Sequence, residues 1–543
     1  MYTSKLSFSR RGFLKTCLAG AGALAFLDSC RTDRLAHIKG SMAGNGSATG
    51  HLLRNTGALP APEKEIYTGI LIAGGGVAGL SALRWLKQHT DKDVMLAELG
   101  NETGGNAAYG KNAVSAFPWG AHYLPVPDAR HTELISFLQE AGVVKGISKE
   151  GLPEYNEYYL CHYPAERLFI KGYWQEGLVP EFGVPVEEKK QIARFFALME
   201  TYKAAMGTDG RYAFAIPVDD SSTDGKWRAL DKISFADWLK GEGFHSSHLL
   251  WYLSYACRDD YGTNPGNTSA WAGIHYFACR RGTAVNASHS DVLTWPEGNG
   301  FLTDRLRNKL EPFIRTNSLV FKVESGASGI SVLVYDVLSR KTTRIHTDRL
   351  LLATPQFVTR RLLAGSGLPE ESQARESFSY APWMTAAVTI NGMKLQQGAP
   401  MSWDNVLFGT ASVGYVNANH QQLHESGRKV LTCYFPLTHK EPAAARNEAY
   451  GKTYRDWLDM VVTDLESAHH GIAKNIEQVD IRLWGHGMIA PTPGFIWGAG
   501  RQLAKQHLNG KVFFAHSDLG GISIFEEAFY QGLRAAKEIA GMV

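Results

Sequence analysis

A glycine-rich turn between an apolar strand and a helix is the feature that most restricts how this chain can fold. The apolar run 70–73 leads into GGGVAG at 74–79, and leucines then follow at helical spacing. A second apolar run, DVMLAE, ends at Glu98, 19 residues beyond Gly79. In such a unit Gly74, Gly76 and Gly79 allow the tight turn, the approach of a diphosphate and close helix–strand packing, and the acid accepts from a ribose hydroxyl. The pattern predicts a Rossmann-like α/β domain that binds a dinucleotide.

Composition narrows the remaining possibilities. The chain has 543 residues, more than one hydrophobic core usually serves, so we expect two or more domains. The formal net charge of +3 argues against a nucleic-acid partner. No apolar stretch reaches the roughly 18 residues that a spanning helix needs. The six cysteines form no CxxC pair, so no metal site is predicted.

Further segments, in chain order, resemble the cofactor motifs of the FAD-dependent amine oxidase superfamily, which includes monoamine oxidases, phytoene desaturases and protoporphyrinogen oxidases. They are ELGNETGGNAAYG at 98–110, FPWGAHYLP at 117–125, WPEGNGFLTDRL at 295–306, SLVFKV at 318–323, RLLLATP at 349–355 and the closing segment 511–541. Asn106 stands where that family often has an arginine. The stretch 515–518 is one residue longer than the family's pattern.

The resemblance implies an α/β fold in which a Rossmann-like FAD-binding domain is interleaved with an α+β substrate domain. It assigns 65–130, 291–375 and 491–543 to the first domain, and 131–290 and 376–490 to the second. It implies FAD without a covalent link, since no cysteine lies near 500–520. Val320 would contact the adenine and Asp518 the ribityl chain. The implied cofactor residues are Gly74, Gly76, Gly79, Glu98, Gly104, Gly105, Asn106, Ala121, Val320, Asp518, Ile524 and Phe525.

Local patterns predict several elements. Ser523 and Glu526 form an S-x-x-E capping box, which predicts a helix from there to about Ile539 with its N-terminus towards the flavin. Apolar periodicity predicts helices over 131–142, 187–206, 234–244 and 246–260, and alternation predicts strands over 384–393, 411–419 and 429–437.

Candidate substrate residues lie in several segments. We expect catalytic or substrate contacts from His122, Trp484, His486 and Tyr415, with Tyr434 as a further aromatic wall. Each has a structural alternative: strand packing for His122, an interdomain corner for His486 and core positions for the tyrosines. The adjacent acids Asp259 and Asp260 point in different directions on a helix, so we expect at most one to hold a cationic amine. A solvated face is the alternative.

Three functions remain open from the sequence. The first is an FAD-dependent oxidoreductase that oxidises a C–N bond of an amine or amino-acid-like substrate by hydride transfer to flavin N5. The second is a desaturase-like or protoporphyrinogen-oxidase-like enzyme, and the third is a flavin-binding partner protein without turnover. The absence of a second GxGxxG and of paired cysteines argues against a pyridine-nucleotide–disulfide reductase. Oxygen, a quinone or a carrier protein would accept the electrons.

The N-terminus predicts export. SRRGFLK at 9–15 resembles a twin-arginine signal, and the apolar run 17–27 is too short to span a bilayer. LDSC at 27–30 resembles a lipoprotein box with a lipid on Cys30, although Asp28 departs from that pattern. Cleavage after Ala43 is the alternative. We expect 31–64 to be a flexible linker and the protein to be periplasmic or otherwise exported from a bacterium. The twin-arginine machinery carries folded proteins, so FAD would be loaded first.

Overall fold

Two seven-stranded sheets organise the chain. The computed structural model describes residues 34–44, 46–326, 329–368, 372–394, 396–423 and 426–541. The segments that resemble an export signal and a lipoprotein box, including Cys30, lie outside these residues. Across the part that is described, no helix combines the length and the apolar character that crossing a bilayer requires.

The first sheet is built around parallel strands that are buried on both faces. The ends of its two longest strands, 70–73 and 350–352, are fully apolar and inaccessible, as parallel strands covered by helices require. The first four strands in the spatial order below and Val512–Phe514 run parallel to one another, and the last two strands form a hairpin that pairs antiparallel with Lys341–Leu352. In spatial order the strands are Ile314–Arg315, Val94–Ala97, Pro62–Ala73, Lys341–Leu352 (with Val512–Phe514 beside its end), Gly329–Asp336 and Ser318–Gly326.

The second sheet is mainly antiparallel. Its strand Tyr380–Asn391 is buried along almost its whole length, because helices cover one face and the rest of the molecule covers the other. The strands predicted over 384–393, 411–419 and 429–437 all belong to this sheet. In spatial order it contains Ile476–Ile489, Tyr380–Asn391, Arg428–Pro436, Tyr415–Asn417, Asp404–Leu407, Glu166–Ile170 and Tyr173–Glu176. Three two-stranded ribbons pair Tyr109–Lys111 with Ala116–Pro118, Tyr123–Pro125 with Val292–Thr294, and Val144–Ile147 with Pro153–Tyr155.

Helices pack on both sheets, and the four predicted over 131–260 are confirmed. The helices of eight residues or more are Val77–His89, Thr132–Glu140, Val186–Ala204, Ser247–Tyr261, Ala270–Ala278, Gly300–Arg307, Gln356–Leu363, Pro442–Gly451, Tyr454–Ala468 and Phe525–Ala540. Shorter helices span Ser47–Gly50, Gly225–Arg228, Phe235–Gly241, Ala499–Lys505 and Ser517–Gly520.

The last helix begins differently from the prediction. It spans Phe525–Ala540, but its N-cap residue is Ile524 and no side chain caps it, so the predicted capping box is wrong. The Ser523 hydroxyl instead accepts the N–H of Ile489 at 2.9 Å. Ser523 thus fastens the start of this helix to the second sheet.

The predicted flexible linker is also wrong over its described part. Leu35 and Ile38 are buried beside the second sheet, and Lys39 and Met42 pair with Gln478 and Ile481 of its edge strand. The composition of 31–64 is rich in small and polar residues, which masked these apolar anchors. Residues 46–61 then continue across the molecule to the first strand.

Candidate functional site

A long groove opens at the carboxyl edge of the parallel strands. Its cavity volume is about 1060 Å³, which is large for a small-molecule site. Ten of the predicted cofactor residues line it: Gly74, Gly76, Glu98, Gly104, Gly105, Asn106, Ala121, Val320, Ile524 and Phe525. Residues that are far apart in sequence meet here because most of them lie on or follow strands of the first sheet, whereas Ala121 lies between two ribbon strands.

The glycine-rich turn forms one wall of the groove. Gly74 has a φ of +107°, and a Cβ atom there would lie 2.5 Å from the Ala353 carbonyl oxygen. A Cβ atom at Gly79 would lie 1.9 Å from the Gly74 carbonyl oxygen, so Gly79 supports the turn from behind and does not line the groove. At Gly76 the nearest atom to such a Cβ, on Gly105, is 4.0 Å away. A side chain at Gly76 would therefore fill only groove space, beside the free N–H groups of helix Val77–His89.

Glu98 stands at the end of the second strand, where the sequence predicted it. Its two carboxylate oxygens accept the N–H groups of Gly75 at 2.6 Å and Gly100 at 2.7 Å. Burial raises the pKa of this carboxyl, and the two N–H groups oppose that rise. Glu98 thus braces the glycine-rich turn and also lines the groove near Val320.

Asp518 does not line the groove, contrary to the prediction that it contacts a ribityl chain. It is 1% exposed, and one carboxylate oxygen lies 2.9 Å from Nδ1 of His516. The other oxygen accepts the hydroxyl of Tyr380 at 2.6 Å and the N–H of Gln356 at 3.0 Å. Burial raises its pKa, but His516 and these donors outweigh burial and lower it. His516 and Ser517 line the groove instead, while the Asp518 side chain is buried behind them.

A second, inner cavity adjoins the groove. It measures about 150 Å³ and shares a wall with the groove. The residues that line both are Asn106, Ala121, Asn299, Trp484, Ser523, Ile524 and Phe525. The junction is therefore formed by the start of the last helix, the segment after Gly120 and one tryptophan of the second sheet.

Aromatic rings form one side of the inner cavity. The His122 ring lies 4.7 Å from that of Tyr434, and Trp403 packs behind it at 5.6 Å. Burial lowers the pKa of His122 to about 4, so this imidazole is neutral at pH 7. The Tyr434 hydroxyl donates to the Gly120 carbonyl at 3.0 Å. His122 and Tyr434, two of the predicted substrate residues, thus both line this cavity.

Carboxylates form the other side. Asp259 and Asp260, in the last turn of helix Ser247–Tyr261, both line the inner cavity, together with Glu526. Both members of the pair thus face the cavity, whereas the sequence predicted that at most one would hold a cationic amine, and neither lies on a solvated face. Burial, and next Asp260, raise the pKa of Asp259 to about 7, and burial raises that of Asp260 to about 6. Arg280 also lines the cavity and donates to the Tyr123 hydroxyl at 2.9 Å.

The other three predicted substrate residues do not all lie at the inner cavity. Trp484 lines both cavities, and its indole N–H donates to the Trp119 carbonyl at 3.0 Å. His486 lines the long groove and stacks on Phe357 with ring centres 4.0 Å apart, so it does not reach the inner cavity. Tyr415 reaches neither cavity.

The position of Tyr415 corrects its prediction as a substrate contact. It is 1% exposed, in the core on the far side of the second sheet. Its hydroxyl is 2.6 Å from Nε2 of His469 and accepts from Arg167 at 3.2 Å. On alternating strand positions a tyrosine faces one side or the other, and the sequence did not show which side carries the site.

The sequence reasoning missed Arg280 and Glu526 as cavity residues. Both lie in segments that it singled out for other reasons, the polar and aromatic stretch 255–281 and the last helix. Arg280 comes just after the apolar helix Ala270–Ala278, and Glu526 stands in the first turn of the last helix. Among the described residues, no group of histidines, cysteines and acids could hold a metal ion.

The comparisons with known proteins agree with this architecture. Residues 72–141 match the family model described as an NAD(P)-binding Rossmann-like domain. No curated protein matches the chain. Among solved structures, the chain is similar to a putrescine oxidase triple mutant, with 17% identity over 88% of this chain and all of that one and a TM-score of 0.64.

Two further structures show the same likeness. Cyclohexylamine oxidase from Brevibacterium oxydans IH-35A is 13% identical over 87% of this chain and 99% of its own, with a TM-score of 0.62. A putative protoporphyrinogen oxidase from Exiguobacterium sp. 255-15 is 16% identical over 88% and 99%, with a TM-score of 0.57. The predicted α/β fold, with a Rossmann-like domain of the amine oxidase type, is thereby confirmed.

Two glycine substitutions separate support of the turn from contact with a ligand. Gly76→Ala should leave the free energy of unfolding of the cofactor-free protein almost unchanged, since its Cβ meets no protein atom, but should weaken dinucleotide binding at least tenfold. Gly79→Ala should destabilise the protein itself by about 2 kcal/mol or more, because its Cβ overlaps a backbone carbonyl. Urea unfolding and FAD titration of both variants check this. Unchanged FAD affinity in Gly76→Ala would show that nothing approaches this turn.

Proposed function

We propose that this protein is an FAD-dependent oxidoreductase that removes a hydride from the C–N bond of a cationic amine. The observation that carries the proposal is the junction of the two cavities. A groove with the features of a dinucleotide site ends at a small cavity with aromatic rings on one side and carboxylates on the other. A redox cofactor in the groove would thus adjoin a pocket suited to an amine.

The groove residues fit FAD. A diphosphate fits the open space at Gly76 and the N-terminus of helix Val77–His89. A ribose fits beside Glu98, whose carboxylate is held by two backbone N–H groups. The groove continues past this point to Ala121 and Ile524, so it is longer than the adenosine half of a dinucleotide needs. The likeness to flavoenzyme structures supports FAD over a nicotinamide dinucleotide, and it carries no information on a covalent link.

The inner cavity favours an amine over a hydrocarbon. Two aspartates and one glutamate face a space with a single neighbouring arginine. Such a wall would repel a polyene or a fatty chain, since it leaves carboxylates buried without a partner. An ammonium group supplies that partner, and aromatic faces such as Tyr434 stabilise it further. Oxidation of an amine is therefore preferred to a desaturase-like reaction.

The chain's own residues would bind and orient the substrate. Asp259 or Asp260 would hold the ammonium group, and with a pKa of about 7 the Asp259 carboxylate can accept its proton. Neutral His122 and Tyr434 would exclude water and direct the C–N bond towards the junction at Trp484. FAD, when bound, supplies the hydride acceptor.

Anaerobic spectroscopy tests this function. Purified protein should be yellow, and primary amines or amino acids should bleach its flavin absorbance without air. Asp259→Asn should lower kcat/KM for the amine at least tenfold, because the ammonium loses its counter-charge, whereas the exposed control Asp91→Asn should not.

The outcome also separates the alternatives. Bleaching by polyenes but not by amines would favour the desaturase-like reaction. If dithionite bleaches the flavin and none of the compounds does, the protein is a flavin-binding partner and the proposal fails. Recovery of colour on addition of air, or only on addition of a quinone or carrier protein, identifies the electron acceptor.

The raised pKa values of Asp259 and Asp260 predict a pH dependence of stability. Between about pH 4 and 7 the folded state keeps protons that the unfolded state has released, so the free energy of unfolding should fall as the pH rises through this window. Asp259→Asn should therefore stabilise the amine-free protein by about 1–3 kcal/mol at pH 8, and by progressively less towards pH 4. Urea unfolding at several pH values measures this. A gain that is equal at pH 4 and pH 8 would contradict an ionised, buried carboxylate.

We further propose that the protein is exported in its folded form, on the evidence of the sequence SRRGFLK at 9–15. Replacing Arg10 and Arg11 together by lysine should retain the protein, with its FAD, inside the cell, as cell fractionation would show. Labelling with a radioactive fatty acid that depends on Cys30 would establish a lipid anchor. Export of the double-lysine variant at the wild-type level would refute the twin-arginine assignment.

A further inference from the structure

A segment near the N-terminus crosses the mouth of the long groove. We name residues 46–61 the N-terminal strap. At one end Gly46 and Gly50 lie against Leu99, which follows the second strand of the first sheet. Further along, Leu53 packs beside Leu319.

The strap also reaches the opposite side of the groove. The ring of His51 meets that of Tyr450, on helix Pro442–Gly451, at 6.1 Å in an edge-to-face arrangement. Gly46, Gly50, His51, Leu53 and Arg54 all line the groove. The strap therefore bridges the nucleotide side of the molecule and the helices of the second sheet above the space that a dinucleotide would fill.

Cations from separate segments surround this part of the groove. Arg54 comes from the strap, Arg361 from helix Gln356–Leu363 and Arg446 from helix Pro442–Gly451, and all three line the groove. No carboxylate among the described residues lies within 4.0 Å of any of them to form an ion pair. Arg446 donates to the Gly485 carbonyl at 2.9 Å, and Arg54 lies 3.2 Å from the His51 ring nitrogen.

The charges of these three arginines act on a common neighbour, His486. Burial, and next the charges of Arg446 and Arg54, lower the pKa of His486 to about 4. The acids of the groove do not neutralise the three arginines. Glu376 is within 3.6 Å of Arg360, and both oxygens of Glu98 are occupied by backbone N–H groups.

The glycine-rich side of the groove brings no cation. Asn106 is neutral, and its side-chain N–H₂ donates to the Gly487 carbonyl. Arg375 also lines the groove, but its guanidinium donates to the Gln356 side chain and the Ala504 carbonyl. A dianionic group at the turn would thus find its positive partners on the strap side.

We propose that the N-terminal strap forms the outer wall of the cofactor site, and that Arg54, Arg361 and Arg446 hold the diphosphate of the dinucleotide. Guanidinium groups bind phosphate oxygens through paired, charge-assisted hydrogen bonds, which explains three unneutralised arginines at one groove. The inference rests on the proposed FAD cofactor. It makes the strap a retaining element, so the cofactor leaves slowly only while residues 46–61 are docked.

FAD binding and release test the inference. Arg54→Ala and Arg361→Ala should each raise the FAD dissociation constant and the rate of FAD release at least tenfold, measured by flavin fluorescence after dilution. Arg340→Ala is the matched control, because this exposed arginine lies on a turn away from the groove. Arg54→Lys keeps the charge and should recover part of the affinity.

Salt and fragments give a second readout. Wild-type affinity for FAD should fall as salt rises from 50 mM to about 500 mM, and the Arg54→Ala, Arg361→Ala double variant should lose most of that dependence. The same substitutions should weaken the binding of ADP, which contains the diphosphate, but not the binding of adenosine.

The outcomes distinguish this inference from the proposed function. If Arg54→Ala and Arg361→Ala bind FAD but match Arg340→Ala in the rate of FAD release and in salt dependence, these arginines do not hold the diphosphate. The proposed function would still stand. Wild-type protein that takes up no FAD would end both. Unfolding of a variant before measurement would be recognised by its circular dichroism. Arg54→Lys then decides whether Arg54 binds the diphosphate or has a purely structural role.

Discussion

The carboxyl edge of the parallel strands in the first sheet is the constraint on which the rest depends. Strands that are sequentially distant end there together, so the glycine-rich turn, Glu98, Val320 and the segment after Phe514 border one groove. The parallel arrangement in turn requires apolar strands buried on both faces, which 70–73 and 350–352 provide. The groove therefore forms only when most of the chain has folded, as the proposed export of a folded protein would require.

The inner cavity carries an energetic cost that the groove does not. Buried carboxylates such as Asp259 and Asp260 destabilise a folded protein whenever they are ionised and lack a partner. Raised pKa values relieve part of that cost by keeping protons on these groups. The proposed cationic ligand would relieve it more fully, so the same residues that reduce stability would provide the affinity and the charge selectivity of the site.

Local signals determined how much the sequence could predict. The glycine-rich turn, the helices predicted over 131–260 and ten of the twelve predicted cofactor residues follow from short motifs that depend on neighbouring residues. Asp518 and Tyr415 were misplaced because their orientation depends on tertiary contacts, with Tyr380 and Gln356 in one case and with His469 in the other. The local sequence pattern assigned Ser523 to a helix cap. Its actual hydrogen bond, with Ile489, joins residues 34 positions apart and leaves no local signal.

The strap shows the same limit more plainly. Its composition is that of a linker, and the apolar contacts of Leu53 and Leu59, with the preceding anchors Leu35 and Ile38, distinguish it from one. Their partners lie in sheets formed hundreds of residues later, so no local pattern identifies them. A long-range contact of this kind is visible only in the folded molecule.

The most direct test of the central claim is the identity and stoichiometry of what the folded protein binds. Protein purified from the cell should be denatured, and the released small molecules should be separated and quantified against the chain. The account predicts close to one FAD per chain, released without proteolysis. A colourless protein that releases no FAD, and that binds none when FAD is added, would contradict it.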